Sequence, residues 1–149
     1  MFWIFLLRHG EAYPEEVNPE RPLTERGKKD TEKVAKALKN FGVKPEVIYT
    51  SPKLRAKQTA EIVASTLGVE EVKETELLLP NADPKETSSL IDGKNAVLCG
   101  HLPNLARLFS SLYLSVDDEK RINLSPSGVV ILKGGEYWSL ELLLEPSVL

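Results

Sequence analysis

The sequence predicts a mixed α/β fold built on a mostly parallel sheet. Strand-like and helix-like patterns alternate along the whole chain, the order that packs helices against parallel strands. No internal repeat, low-complexity tract or linker divides the 149 residues, a length suited to one core, so residues 1–149 are read as a single domain. Three apolar runs also end abruptly on a basic or imidazole side chain, in LLRHGE, YTSPKLR and LCGHLP.

The apolar run Phe2 to Leu7 is the first strand, buried on both faces by its unbroken hydrophobicity. A polar loop, AYPEEVNPERP, leads to a helix that Thr24 caps and Gly42 closes, with Val34, Ala35 and Leu38 on its inner face. Glu46 to Thr50 is the second strand, and Ser51 as cap with Pro52 in the first turn opens a second helix to about Leu67. Leu54, Ile62, Val63 and Leu67 form its expected buried stripe. A weaker strand near Val72 to Leu77 and a short helix near Pro84 to Ile91 follow. NAVLCG is a short buried strand, after which Pro103 opens a helix through Leu114. Two closing strands, Val129 to Lys133 and Tyr137 to Leu144, are joined through Gly134 and Gly135 as a hairpin.

Composition narrows the function. A formal net charge of −3 gives no general attraction for phosphate backbones or anionic lipid, so neither nucleic acid nor membrane is an expected partner. The N-terminal apolar run lacks the length of a membrane span and the flanks of a signal peptide, which gives a cytoplasmic expectation. Cys99 is the only cysteine, so no internal disulfide forms, and two histidines with one distant cysteine make a poor metal set. No metal and no cofactor are expected. A cysteine phosphatase is also disfavoured, because position 105, six beyond Cys99, is leucine; Cys99 reads as a buried small hydrophobe.

The strand ends carry the chemistry. In an open α/β sheet, ligands bind beyond the carboxyl ends of parallel strands, where helix N-termini also present free N–H groups. Arg8 and His9, Arg55, and His101 all occupy such ends and can converge. Two guanidiniums and an imidazole around a second imidazole would hold a tetrahedral dianion against that ring, which points to phosphoryl transfer through histidine.

The motifs LLRHGEA, PLTERG, SPKLRAKQTAEI and CGHLPNL, in this order, resemble the histidine phosphatase superfamily, and the short chain is similar to its SixA-type phosphohistidine phosphatases. The resemblance runs from Phe2 to about Leu112. It implies a three-layer α/β/α sandwich of the phosphoglycerate mutase-like type, working without metal. It implies His9 as nucleophile and Arg8, Arg55 and His101 as the grip on the phosphoryl oxygens. Arg21 and Thr24 are further candidate substrate contacts, with the alternatives of a surface loop residue and a plain helix cap. Arg55 has the alternative of an ion pair with Glu61, and Arg8 of one with Glu11.

A nucleophilic histidine must be neutral, and the nearby guanidiniums are expected to lower its pKa while a backbone carbonyl fixes its tautomer. Relatives acting on sugar or glycerate phosphates supply a proton from a glutamate after the third strand. Glu76 in ETELLLP is the nearest match, with Glu74 and Glu11 as rivals. Leu102 follows the second histidine where phytase-like members carry aspartate. The expected substrate is a phosphohistidine on a partner protein, as in signal transduction. The alternatives are a small phosphorylated metabolite, handled by a phosphomonoesterase or mutase, and a phosphate-binding module without turnover.

Overall fold

The computed structural model describes residues 1–42 and 44–149. Strands β1 (Phe2–Arg8), β2 (Val47–Thr50), β3 (Val72–Glu74), β4 (Ala96–Gly100), β5 (Val129–Gly134) and β6 (Ser139–Leu144) form one sheet in the order β3-β2-β4-β1-β5-β6. The first four run parallel, and β5 and β6 are antiparallel additions at the β1 side. Helices α1 (Glu25–Phe41), α2 (Leu54–Leu67), α3 (Pro84–Thr87) and α4 (Asn104–Tyr113) cover it.

The alternation of side chains along the strands makes the layers. On β1, Phe5 and Leu7 pack with Val34, Ala35 and Leu38 of α1 and Ala56, Ala60 and Val63 of α2. Ile4 and Leu6 point the other way, onto Leu105, Leu108 and Phe109 of α4. The mixed α/β fold with helices on both faces of a central sheet is the expected one. Ile4, Phe5, Leu6 and Leu7 are fully buried, which explains a run with no polar alternation.

Helix α1 keeps its expected ends, with the Thr24 hydroxyl accepting from the Gly27 N–H and Gly42 in the left-handed conformation. Several other boundaries move. Strand β2 starts at Val47 rather than Glu46. Helix α2 starts at Leu54, with Lys53 rather than Ser51 in the cap position; the Ser51 hydroxyl accepts the Lys53 N–H just ahead of the helix and lies against His101. Its buried stripe is Ala56, Thr59, Ala60, Val63 and Ala64, small residues that let α2 lie close to the sheet, while Leu54, Ile62 and Leu67 are half-buried at its margins. Strand β3 stops at Glu74, since the Thr75 hydroxyl accepts from the Leu77 N–H and starts a single 3-10 turn, Glu76–Leu78. The helix expected to Ile91 divides into α3 and a 3-10 turn, Ser88–Leu90. Helix α4 follows Pro103 and ends at Tyr113. Gly134 belongs to β5 rather than to the turn: a Cβ there would lie 2.5 Å from the ring of Phe2. Strand β6 begins at Ser139, leaving Tyr137 in the loop and exposed.

Among the described residues no helix is long and apolar enough to cross a membrane. Neighbouring strands β2, β4 and β1 end side by side, and each hands the chain directly to one of the candidate functional segments.

Candidate active site

His9 follows β1 and His101 follows β4, and the register of these adjacent parallel strands pairs Arg8 with Gly100. The His9 N–H donates to the Gly100 carbonyl at 2.9 Å, so the two histidines are held one strand apart with ring centroids separated by 5.1 Å. Ser51, after β2, donates its N–H to the Cys99 carbonyl at 3.1 Å. Arg55 lies in the first turn of α2, over the same strand ends.

The His9 ring is fixed by its Nδ1, which donates to the Gly10 carbonyl at 2.7 Å and leaves Nε2 as the lone-pair nitrogen. Its pKa is lowered from 6.5 to about 4, first by burial, against the pull of the Gly10 hydrogen bond, and then by Arg55, Arg8 and Arg21. The expected lowering therefore occurs, with burial ahead of the guanidiniums. His101 is lowered to about 3, again first by burial and then by His9, Arg55, Lys53 and Arg8. Both rings are neutral at pH 7, so His101 is not a third cation beside Arg8 and Arg55. Burial also lowers the pKa of the Arg8 and Arg55 guanidiniums from their ordinary value, without bringing either near neutrality.

Arg8 and Arg55 are half-buried, and neither makes the expected alternative ion pair among the described residues. One Arg8 Nη donates to the Leu124 carbonyl at 2.7 Å, and Glu11 instead approaches Arg26. The buried Arg8 Nε, Arg55 Nε and His101 Nδ1 have no hydrogen-bond partner among the described residues. Buried polar groups are seldom left unpaired, and unpartnered nitrogens on Arg8, Arg55 and His101 are groups that an oxyanion-binding site would use.

Arg21 sits in the loop between β1 and α1 with a left-handed backbone, φ 51°, and its Nε donates to the Tyr13 carbonyl at 3.0 Å. Its field reaches both His9 and Arg55. Thr24 acts as the helix cap; no hydrogen bond among the described residues ties it to Arg8, His9, Arg55 or His101. Glu76 is exposed, at the start of the turn after β3, and lines a cavity of about 570 Å³ with Lys53, Leu79, Pro80 and Glu86. No hydrogen bond or ion pair among the described residues engages its carboxylate, whereas its rival Glu74 pairs with Lys57 at 3.1 Å. Cys99 is fully buried, and burial pushes its thiol up to about 12. No three His, Cys, Asp or Glu side chains among the described residues converge as a metal set.

Four hydroxyl residues that the sequence did not connect with the site support it. Thr59, in the QTA segment, accepts from the Gly10 N–H at 2.9 Å and donates to the Arg55 carbonyl at 2.8 Å, joining the histidine limb to the arginine limb. Ser127, buried with φ 65°, donates its N–H to the carbonyls of Arg8 and His9 at 3.1 Å, and its hydroxyl meets that of Thr31 at 2.9 Å. A left-handed serine is a strained conformation, held here by those bonds. Ser51 bonds His101 at 2.7 Å.

Comparison with known proteins agrees with this geometry. The sequence pattern of the histidine phosphatase superfamily (branch 1) matches residues 4–78. A solved structure of the protein histidine phosphatase SixA, complexed with tungstate, superposes with a TM-score of 0.87 at 26% identity, covering 99% of each chain. A putative phosphohistidine phosphatase SixA from Agrobacterium tumefaciens has the same fold, with a TM-score of 0.80 at 23% identity over 97% of this chain and 98% of its own. An uncharacterised protein of Picosynechococcus is 31% identical over 143 residues, 89% of this chain and 85% of its own. The chain belongs to the histidine phosphatase superfamily, and its chemistry is that of a phosphatase, a hydrolase.

Proposed function

We propose that this histidine phosphatase removes the phosphoryl group from phosphohistidine on a partner protein, by way of a phosphorylated His9 and without a metal. The observation that carries the reading is a neutral, tautomer-locked His9 beside the buried Arg8 Nε, Arg55 Nε and His101 Nδ1, which have no partner among the described residues, with the nearest candidate acid, Glu76, exposed and unheld. In the first step Nε2 of His9 attacks phosphorus, forming a P–N bond as the bond to the substrate's imidazole breaks. The electron pair leaves with that imidazole, which departs neutral because its other ring nitrogen carries a proton; an imidazole holds such a proton with a pKa of about 6.5, so little further acid assistance is needed. Arg8 and Arg55 neutralise the equatorial oxygens and His101 adds a hydrogen bond. In the second step water forms a P–O bond, the P–Nε2 bond breaks, and inorganic phosphate leaves with His9 regenerated.

An alkyl ester would have to expel an alkoxide and depends much more on a positioned acid. The similarity to SixA over nearly the whole of each chain supports the same substrate class. Arg21, on the loop beside the site, is a suited contact for the partner protein. The test compares kcat/KM for a phosphohistidine domain, a phosphoserine peptide and phosphoglycerate on wild type and Glu76→Gln. Phosphohistidine is expected to be the best substrate, and Glu76→Gln to impair ester hydrolysis more than phosphohistidine hydrolysis. An alkyl phosphate turned over faster by the wild type would replace this reading with a small-molecule phosphatase, and no turnover of any of the three with a binding module.

A further inference from the structure

We propose that Ser51 is a positioning residue that locks His101 in the Nδ1–H tautomer, so that His101 meets the phosphoryl group as an uncharged hydrogen-bond donor. Ser51 is fully buried, and its place is fixed from both sides: its N–H donates to the Cys99 carbonyl, and its own carbonyl accepts from the Thr50 hydroxyl at 3.1 Å. Its Oγ accepts the Lys53 N–H at 3.1 Å and lies 2.7 Å from Nε2 of His101. A serine hydroxyl has one proton and two lone pairs. With one lone pair occupied by Lys53, the arrangement that satisfies every group sends the hydroxyl proton to Nε2. The ring's proton then sits on Nδ1, the buried nitrogen that has no partner among the described residues.

The opposite tautomer would turn the hydroxyl proton away from its partner and set a lone pair on Nδ1 against phosphoryl oxygens. A protonated ring presents the same Nδ1–H, with Ser51 then accepting from Nε2. Ser51 therefore makes His101 a donor in either charge state. This matters because the ring is neutral at pH 7: burial, then His9, Arg55, Lys53 and Arg8, hold its pKa at about 3. A neutral imidazole aimed by a serine supplies a preorganised N–H without requiring a proton to be taken up on binding. Second partners of this kind fix ring orientation and tautomer at metal sites, and the same logic applies to an anion.

The inference rests on the phosphatase reading for its kinetic arm alone. Nitrogen-15 NMR of the full chain at pH 7.5 resolves the tautomers directly, because the chain has only two histidines. In the wild type, Nδ1 of His101 is expected to carry the proton and Nε2 to be unprotonated, with and without inorganic phosphate. In Ser51→Ala the ring should become a mixture of tautomers while the His9 resonances stay in place, and kcat on phosphohistidine should fall by about tenfold. Nε2-protonated His101 in the wild type, an unmixed Nδ1–H ring in Ser51→Ala, or unchanged kcat with a mixed ring would each overturn the proposal. A wild-type enzyme inactive on phosphohistidine would instead overturn the substrate reading, and the tautomer spectra would still decide the role of Ser51.

Discussion

Two buried neutral histidines make the protein's stability depend on pH in a way that can be calculated. Unfolded, each ring titrates near 6.5; folded, His9 titrates at about 4 and His101 at about 3. Between those values the unfolded chain binds more protons than the folded one, so stability falls as pH falls below about 6.5 and is unaffected by these groups above it. The loss continues through about 4 for His9 and about 3 for His101, and then levels off. At pH 5, about 1.5 units below the unfolded-state value, each ring lowers stability by ~2 kcal/mol, at 1.36 kcal/mol per unit. The two residues are 8% and 2% exposed, so solvent screening reduces this little. The assay is urea unfolding at pH 5 and pH 7.5 on wild type, His9→Asn and His101→Asn. Comparing the pH dependence rather than the stability itself cancels the carboxylates, which titrate in all three proteins. Each variant should lose ~2 kcal/mol of the wild-type difference between the two pH values. A His101→Asn variant that kept the whole difference would show that His101 is not buried as a neutral ring, and the electrostatic account of the site would fail with it.

Thr59→Val removes the hydroxyl that joins Gly10 to Arg55 and leaves the Gly10 N–H without its acceptor. It should lower stability by about 2 kcal/mol and reduce turnover, with Thr59→Ser restoring most of both, as read by urea unfolding and kcat. A loss below about 0.5 kcal/mol would mean the bridge contributes nothing of note. Because the site is assembled from histidine and arginine, dialysis against EDTA should leave activity unchanged while vanadate inhibits as a mimic of pentacoordinate phosphorus. Activity lost in EDTA and restored by a divalent ion would contradict the metal-free mechanism.

Local pattern and chemistry in the sequence settled a good part of this molecule. Hydrophobic continuity marked β1 and β4 as buried on both faces, since alternation disappears only when neither face meets water. The cap at Thr24 and the left-handed Gly42 were legible because both depend on residues within one turn. Arg8, His9, Arg55 and His101 were legible as a group because each stands at the end of a strand or in the helix turn that follows it. The sequence could not place Ser51, since a serine before proline serves equally well as a helix cap, and only the packing of β4 beside β2 brings His101 within 2.7 Å. Nor could it name Thr59 or Ser127, whose partners stand 49 residues away and, for the serine, 118 or 119 back along the chain. The charge state of His101 is also a tertiary property. Next to two arginines its charge is a matter of chemistry, but the burial that makes it neutral comes from elements that meet only when the chain folds.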